Sequence, residues 1–164
     1  MIPEISNLLK RYQRKGILVD TNILLLWFVG AANRDRIAKF PRTKQFSAED
    51  HELLKRILSQ FDSIVTTPNI LTEVNNLANK LTGDDRDNFF KNFASIVDGL
   101  VEVYLESRRL VKLEKFAAYG LTDVGIIDLV ANQYLVLTDD FKLANYLQKN
   151  AIDVINFNHL RFYR

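Results

Sequence analysis

The chain has no cysteine, so disulfides and thiolate metal sites are excluded. Its 164 residues include only two histidines, His51 and His159, which removes the usual nitrogen ligands as well. There are three prolines and six glycines, and no Pro-rich or Gly/Ser-rich stretch divides the chain. No internal repeat is visible. Isolated Gly30 and Gly83 do not form a glycine-rich phosphate loop after a strand. The longest apolar stretch, Ile23 to Ala32, is ten residues and too short to span a bilayer. The opening "MIPEISNLLKRYQRKG" reads as lacking the apolar core and cleavage site of a signal peptide. The expectation is a single domain over 1–164, cytoplasmic, with no membrane partner.

What is present is a folded-protein composition, 48% hydrophobic and 26% charged. Net charge is only +2, so its distribution carries more than its total. Basic residues concentrate in "KRYQRK" (10–15), "RDRIAKFPRTK" (34–44) and "ESRRLVKLEK" (106–115). Each patch alone reads as a solvated face; together they are compatible with a polyanion footprint.

"GILVD" (16–20) is short, continuous and β-branched, as a buried parallel strand should be. "SIVTT" (63–67), "YLVLT" (134–138) and "IDVINF" (152–157) repeat the pattern, and "LVEVYL" (100–105) is ambiguous. Between them lie helical segments. The run Ile23 to Val29 reads as a buried helix serving as core, with a subunit contact as the alternative. Ser47 caps an amphipathic helix over 47–61 with Asp50 at its third position. Thr67 and Pro68 open another over 67–81, and 83–97 reads as a helix. Residues 106–119 read as helical up to Gly120, with Thr122 capping a restart, and 140–150 is the last helix. Strands alternating with helices predict an α/β fold, three layers with a central, mostly parallel sheet of four to five strands.

Parallel sheets carry their sites at the carboxyl ends of strands. Asp20 ends the first strand, between two apolar runs and with no adjacent cation. Asp139 and Asp140 follow "YLVLT", Asp123 opens a helix, and Glu73 sits nearly two turns into the helix after the second strand. Any one of them has a plain structural explanation, such as a helix dipole. Convergent carboxylates, however, need a counter-charge, and the motifs are expected to supply no fixed cation. An oxygen-only donor set favours Mg2+ or Mn2+. Such an ion activates water and neutralises charge in phosphodiester hydrolysis.

"ILVDTNILL", "TPNILTEVNNLA", "GLTDVGIIDLVA" and "YLVLTDDFKL" occur in an order that resembles the PIN-domain nucleases. Their acids lie 53, 50 and 17 residues apart, and the resemblance spans 16 to about 157. It implies that Asp20, Glu73, Asp123 and Asp140 are catalytic and ligate the metal, with Asp139 substituting or assisting. It also implies that Asn22 and Thr138 orient these acids through hydrogen bonds. The implied activity is an Mg2+/Mn2+-dependent endoribonuclease whose partner is RNA. Small bacterial members are often toxins paired with an antitoxin protein, and homodimers are common; other members process RNA without a toxic role. Segment 31–46 looks like extra material relative to the shortest members, and Arg36, Lys39, Arg42 and Lys44 are its candidate RNA-backbone contacts.

Four other readings compete. "ILVDTN" also resembles the haloacid dehalogenase-like phosphatases, but those need a second Asp where Asn22 stands. A flap-endonuclease-like enzyme would need additional duplex-gripping elements, and a nucleotide-binding fold would need a phosphate loop. A catalytically silent RNA-binding module would be expected to lack an acid. Among side chains of other potential, Trp27 and Phe28 read as core rather than base-stacking. Asp128 reads as a structural or surface acid, and His159 in "HLRFYR" as a surface residue.

Overall fold

The computed structural model describes residues 3–131 and 133–163. Helix α1 (Pro3–Tyr12) leads into strand β1 (Ile17–Val19) and then α2 (Thr21–Ala32). A 3-10 turn at Arg34–Arg36 precedes α3 (Ala48–Leu58), β2 (Ile64–Thr66), α4 (Pro68–Ala78) and α5 (Gly83–Val97). Next come β3 (Val101–Glu102), α6 (Ser107–Leu110) and α7 (Phe116–Val130). Strand β4 (Leu135–Thr138), α8 (Phe141–Lys149), β5 (Val154–Asn156), α9 (Phe157–Leu160) and a 3-10 turn at Arg161–Tyr163 complete the described chain.

The five strands form one sheet in the order β3-β2-β1-β4-β5, and every neighbouring pair is parallel. Ile17 aligns with Ile64 on one side of β1 and with Leu135 on the other. Residues 17–19 and 135–138 are buried throughout, as expected for strands covered on both faces. Winding moves outward from β1 to β3, then returns to start again at β4. Right-handed crossovers therefore place the two sets of helices on opposite faces, giving an α/β/α sandwich. The winding reverses between β1 and β4. At such a reversal the chains following the two strands part to opposite faces and leave a crevice at their carboxyl ends.

The Ile23–Val29 run is core: all but the half-buried Trp27 are at most 2% exposed. Phe28 packs edge-on against Phe89 and Phe93 of α5. Gly30 is there for close approach: a Cβ on it would stand 2.2 Å from the His51 ring of α3. His51 Nε2 lies 3.2 Å from the Trp27 carbonyl, and burial holds this imidazole below its ordinary pKa. Ser47 and Asp50 form the expected capping box. Thr67 Oγ1 accepts from the Ile70 amide as the cap of α4.

Two local expectations are corrected. Residues 106–119 are not one helix: α6 stops at Leu110, and α7 starts at Phe116. The break lets buried Leu110, with Leu105, pack over Gly125 of α7. The segment 10–15 is partly structural, because Tyr12 and Arg11 both donate to Asp153 Oδ2, at 2.8 and 3.0 Å. Arg109 pairs with Asp128, which settles that acid as structural. Among the described residues no helix is long and apolar enough to cross a membrane.

Candidate active site

Four of the expected acids, Asp20, Glu73, Asp123 and Asp140, line one cleft of about 300 Å³ at the β1/β4 crevice. Thr21, Asn22, Leu77, Tyr119, Gly120, Leu121 and Thr122 complete its wall. Each acid arrives by a local rule. Asp20 follows β1 and N-caps α2, its Oδ1 accepting from the Thr21 amide at 2.7 Å. Asp140 follows β4 and N-caps α8, its Oδ1 accepting from the Lys142 and Leu143 amides at 2.7 and 3.0 Å. Two helix N-termini thus point their dipoles at the same rim. Asp123 enters from α7, which is broken at Gly120 (φ 78°, ψ 178°), a conformation costly for any residue with a Cβ. Glu73 enters from α4.

The supporting hydrogen bonds run between segments far apart in sequence. Thr138 Oγ1 donates to Asp20 Oδ2 at 2.6 Å and accepts from the Asp140 amide at 3.0 Å, so one hydroxyl ties two acids together. Asn22 Nδ2 donates to Asp139 at 3.2 Å. Asp139 does not line the cleft; it stands beside it, its backbone carbonyl taken by Asn158 Nδ2 at 2.9 Å. Glu73 is held by two hydroxyls, Thr21 Oγ1 at 3.1 Å and Thr122 Oγ1 at 2.5 Å.

Sequence reasoning missed both of these threonines as carboxylate partners. Thr122 was expected as a helix cap; it lies one residue inside the restarted turn and spends its hydroxyl on Glu73. The only signal was that each threonine directly neighbours a motif acid, Thr21 after Asp20 and Thr122 before Asp123. Lys142 corrects the expectation of no fixed cation. Its Nζ donates to the Ala118 carbonyl at 2.5 Å, sits 4.4 Å from the Tyr119 ring centroid, and lowers the Asp123 pKa.

Lys142, with Arg161 acting on Asp139, does not balance these acids. Burial pushes the Asp20 carboxyl up to about 7, with the Asp123 and Asp139 charges raising it and the Thr138 and Thr21 hydrogen bonds opposing. Burial also pushes Asp123 up to about 6, reinforced by Asp140 and Glu73. Asp139 is raised too, first by burial. These acids therefore feel one another across the cleft. Among the described residues, however, no group of three Asp, Glu or His side chains stands close enough to hold a metal ion as the side chains lie.

A hard cation fits the donor set, which is all oxygen and short of positive charge. Mg2+ keeps several of its waters and uses only one or two carboxylates directly, so a roomy acid cleft suits it better than a tight cage.

The expected RNA contacts fall elsewhere. None of Arg36, Lys39, Arg42 and Lys44 lines the acid cleft. Arg36 Nε is paired with Asp85 Oδ2 at 3.1 Å, and Lys39, Arg42 and Lys44 are exposed.

No protein-family model and no curated protein matches the chain.

Proposed function

We propose that the protein is an Mg2+- or Mn2+-dependent endoribonuclease of the PIN-domain type. One observation carries this reading: four acids from four separate segments meet in one cleft at the point where the strand order reverses. RNA as the substrate class follows from the resemblance of the four motifs.

Asp20, Asp123, Asp140 and Glu73 are the residues that would hold the ion. When bound, the ion neutralises the acids, activates water and stabilises charge on the scissile phosphate and leaving oxygen. The chain's own groups hold the carboxylates still. Thr138 and the Thr21 amide orient Asp20, the α8 amides orient Asp140, and Thr21 and Thr122 orient Glu73. Such supporting bonds set ligand direction and basicity. Lys142 adds a fixed positive charge on the side of the cleft nearest Asp123.

The test is cleavage of single-stranded RNA by purified protein with Mn2+, with EDTA, and with Asp20→Asn. Cleavage that needs the ion and Asp20 supports the reading. Cleavage indifferent to both overturns it. A second reading, a silent RNA-binding module, is favoured by the absence of a tight three-acid group among the described residues. Salt-sensitive RNA binding without cleavage in any divalent metal would decide for it.

A further inference from the structure

Next to the acid cleft lies another, of about 420 Å³, lined by Phe141, Asn158, His159, Arg161 and Phe162. The two are continuous through the backbone. Phe141 directly follows Asp140, and Asn158 holds the Asp139 carbonyl. Phe141 is 55% exposed and Phe162 85% exposed, unusual for phenyl rings. The Phe141 ring meets the His159 imidazole at 6.0 Å between centroids.

The scaffold under these rings is tied down. Asn156 caps α9 by accepting from the Asn158 amide at 3.0 Å. Arg161 is locked by Asp50 Oδ2 at 3.0 Å and by the Gln45 carbonyl, and lies over the Phe46 ring. Among the described residues no carboxylate side chain lines this face, in contrast to the acid cleft. Exposed Lys44 directly precedes Gln45.

We propose that Phe141 and Phe162, with His159, form a stacking platform for unpaired bases of the RNA strand whose phosphate enters the acid cleft. This rests on the nuclease reading. A strand bound at Asp140 must leave the cleft over a rim, and on this rim the next residue is an exposed ring. Base stacking on aromatic side chains is tolerant of sequence and suits single strands. Bases within a duplex are already stacked on each other and cannot use it. A stable protein partner would need roughly 800 Å² of well-packed surface. Here two phenyl rings share the wall with an imidazole, an amide and a guanidinium instead.

The experiment uses a single-stranded oligoadenylate RNA carrying 2-aminopurine, with the full chain in Mg2+ and Asp20→Asn as background to stop cleavage. Affinity and 2-aminopurine quenching are read for Phe141→Ala, Phe162→Ala, Phe162→Tyr and Phe162→Leu. Each alanine variant should weaken binding roughly tenfold and relieve quenching. Tyrosine should restore both, leucine neither, and the same sequence as a duplex should not respond. Unchanged affinity and quenching in both alanine variants, or full rescue by leucine, overturns the platform. The two proposals fail separately. Stacking without cleavage by the parent protein removes the nuclease reading alone. Metal-dependent cleavage by the parent, with the alanine variants binding normally, removes the platform alone.

Discussion

Asp20 and Asp50 are both buried acids at helix N-termini, 7% and 0% exposed, and they differ in what answers their charge. Asp50 Oδ2 accepts from the Ser47 amide at 2.9 Å and from Arg161 Nε at 3.0 Å. Among the described residues Asp20 accepts only from a threonine hydroxyl and one amide, and its neighbours across the cleft are other acids. A buried carboxylate with a guanidinium on it joins parts of a fold together. One surrounded by acids costs stability and leaves room for a cation from outside.

The largest effect should come from taking away the unanswered charge. Asp20→Asn keeps size and one of the two acceptor oxygens, and should lower RNA cleavage about 10³-fold, or about 4 kcal/mol, in single-turnover assays. The reverse asymmetry holds at the answered acid. Asp50→Ala strands the half-buried Arg161 and breaks the capping box, and should cost about 3 kcal/mol. That lowers Tm by about 8 °C in calorimetry.

Thr138→Val should lower cleavage by between about 10-fold and 100-fold, since it removes the hydroxyl shared by Asp20 and Asp140. A thermal scan separates this from unfolding, and normal cleavage by a folded variant would refute the role.

The smallest effect is the pH response of the metal-free protein. Asp20 and Asp123 have folded pKa values of about 7 and about 6, above the ordinary 3.8. The folded state therefore binds protons more tightly than the unfolded chain. Their contribution is fully present below about pH 4 and is lost as pH rises through 6 and 7. Tm should fall from pH 5 to pH 8. Asp20→Asn should flatten that slope and raise Tm by about 3 °C at pH 8. A slope identical in the variant would show that Asp20 does not titrate as stated.

Much of this was legible from local rules. Continuous β-branched runs marked β1, β2 and β4, and the Ser47 and Thr67 caps are where side-chain chemistry places them. The very short β3 stayed ambiguous because its two residues, Val101 and Glu102, are exposed on an edge and carry no burial signal. Motif order pointed to the four acids that share the cleft, and to Asn22 and Thr138 as hydrogen-bond donors to Asp139 and Asp20. The roles of Thr21, Thr122 and Lys142 were not legible. Each depends on a partner from another element or on a break in a helix, as at Gly120.

By itself, the sequence determined the elements and the residue types at their ends, because hydrophobic periodicity and capping act within a few residues. Only the tertiary structure decided which of those ends meet. The reversal of strand order between β1 and β4 brought Asp20 and Asp140 to one cleft, with adjacent Asp139 beside it. It also took a chain return of 111 residues to give Asp50 the guanidinium that Asp20 lacks. The charge a buried acid feels depends on the groups the fold sets against it, and for both acids most of these lie far away along the chain.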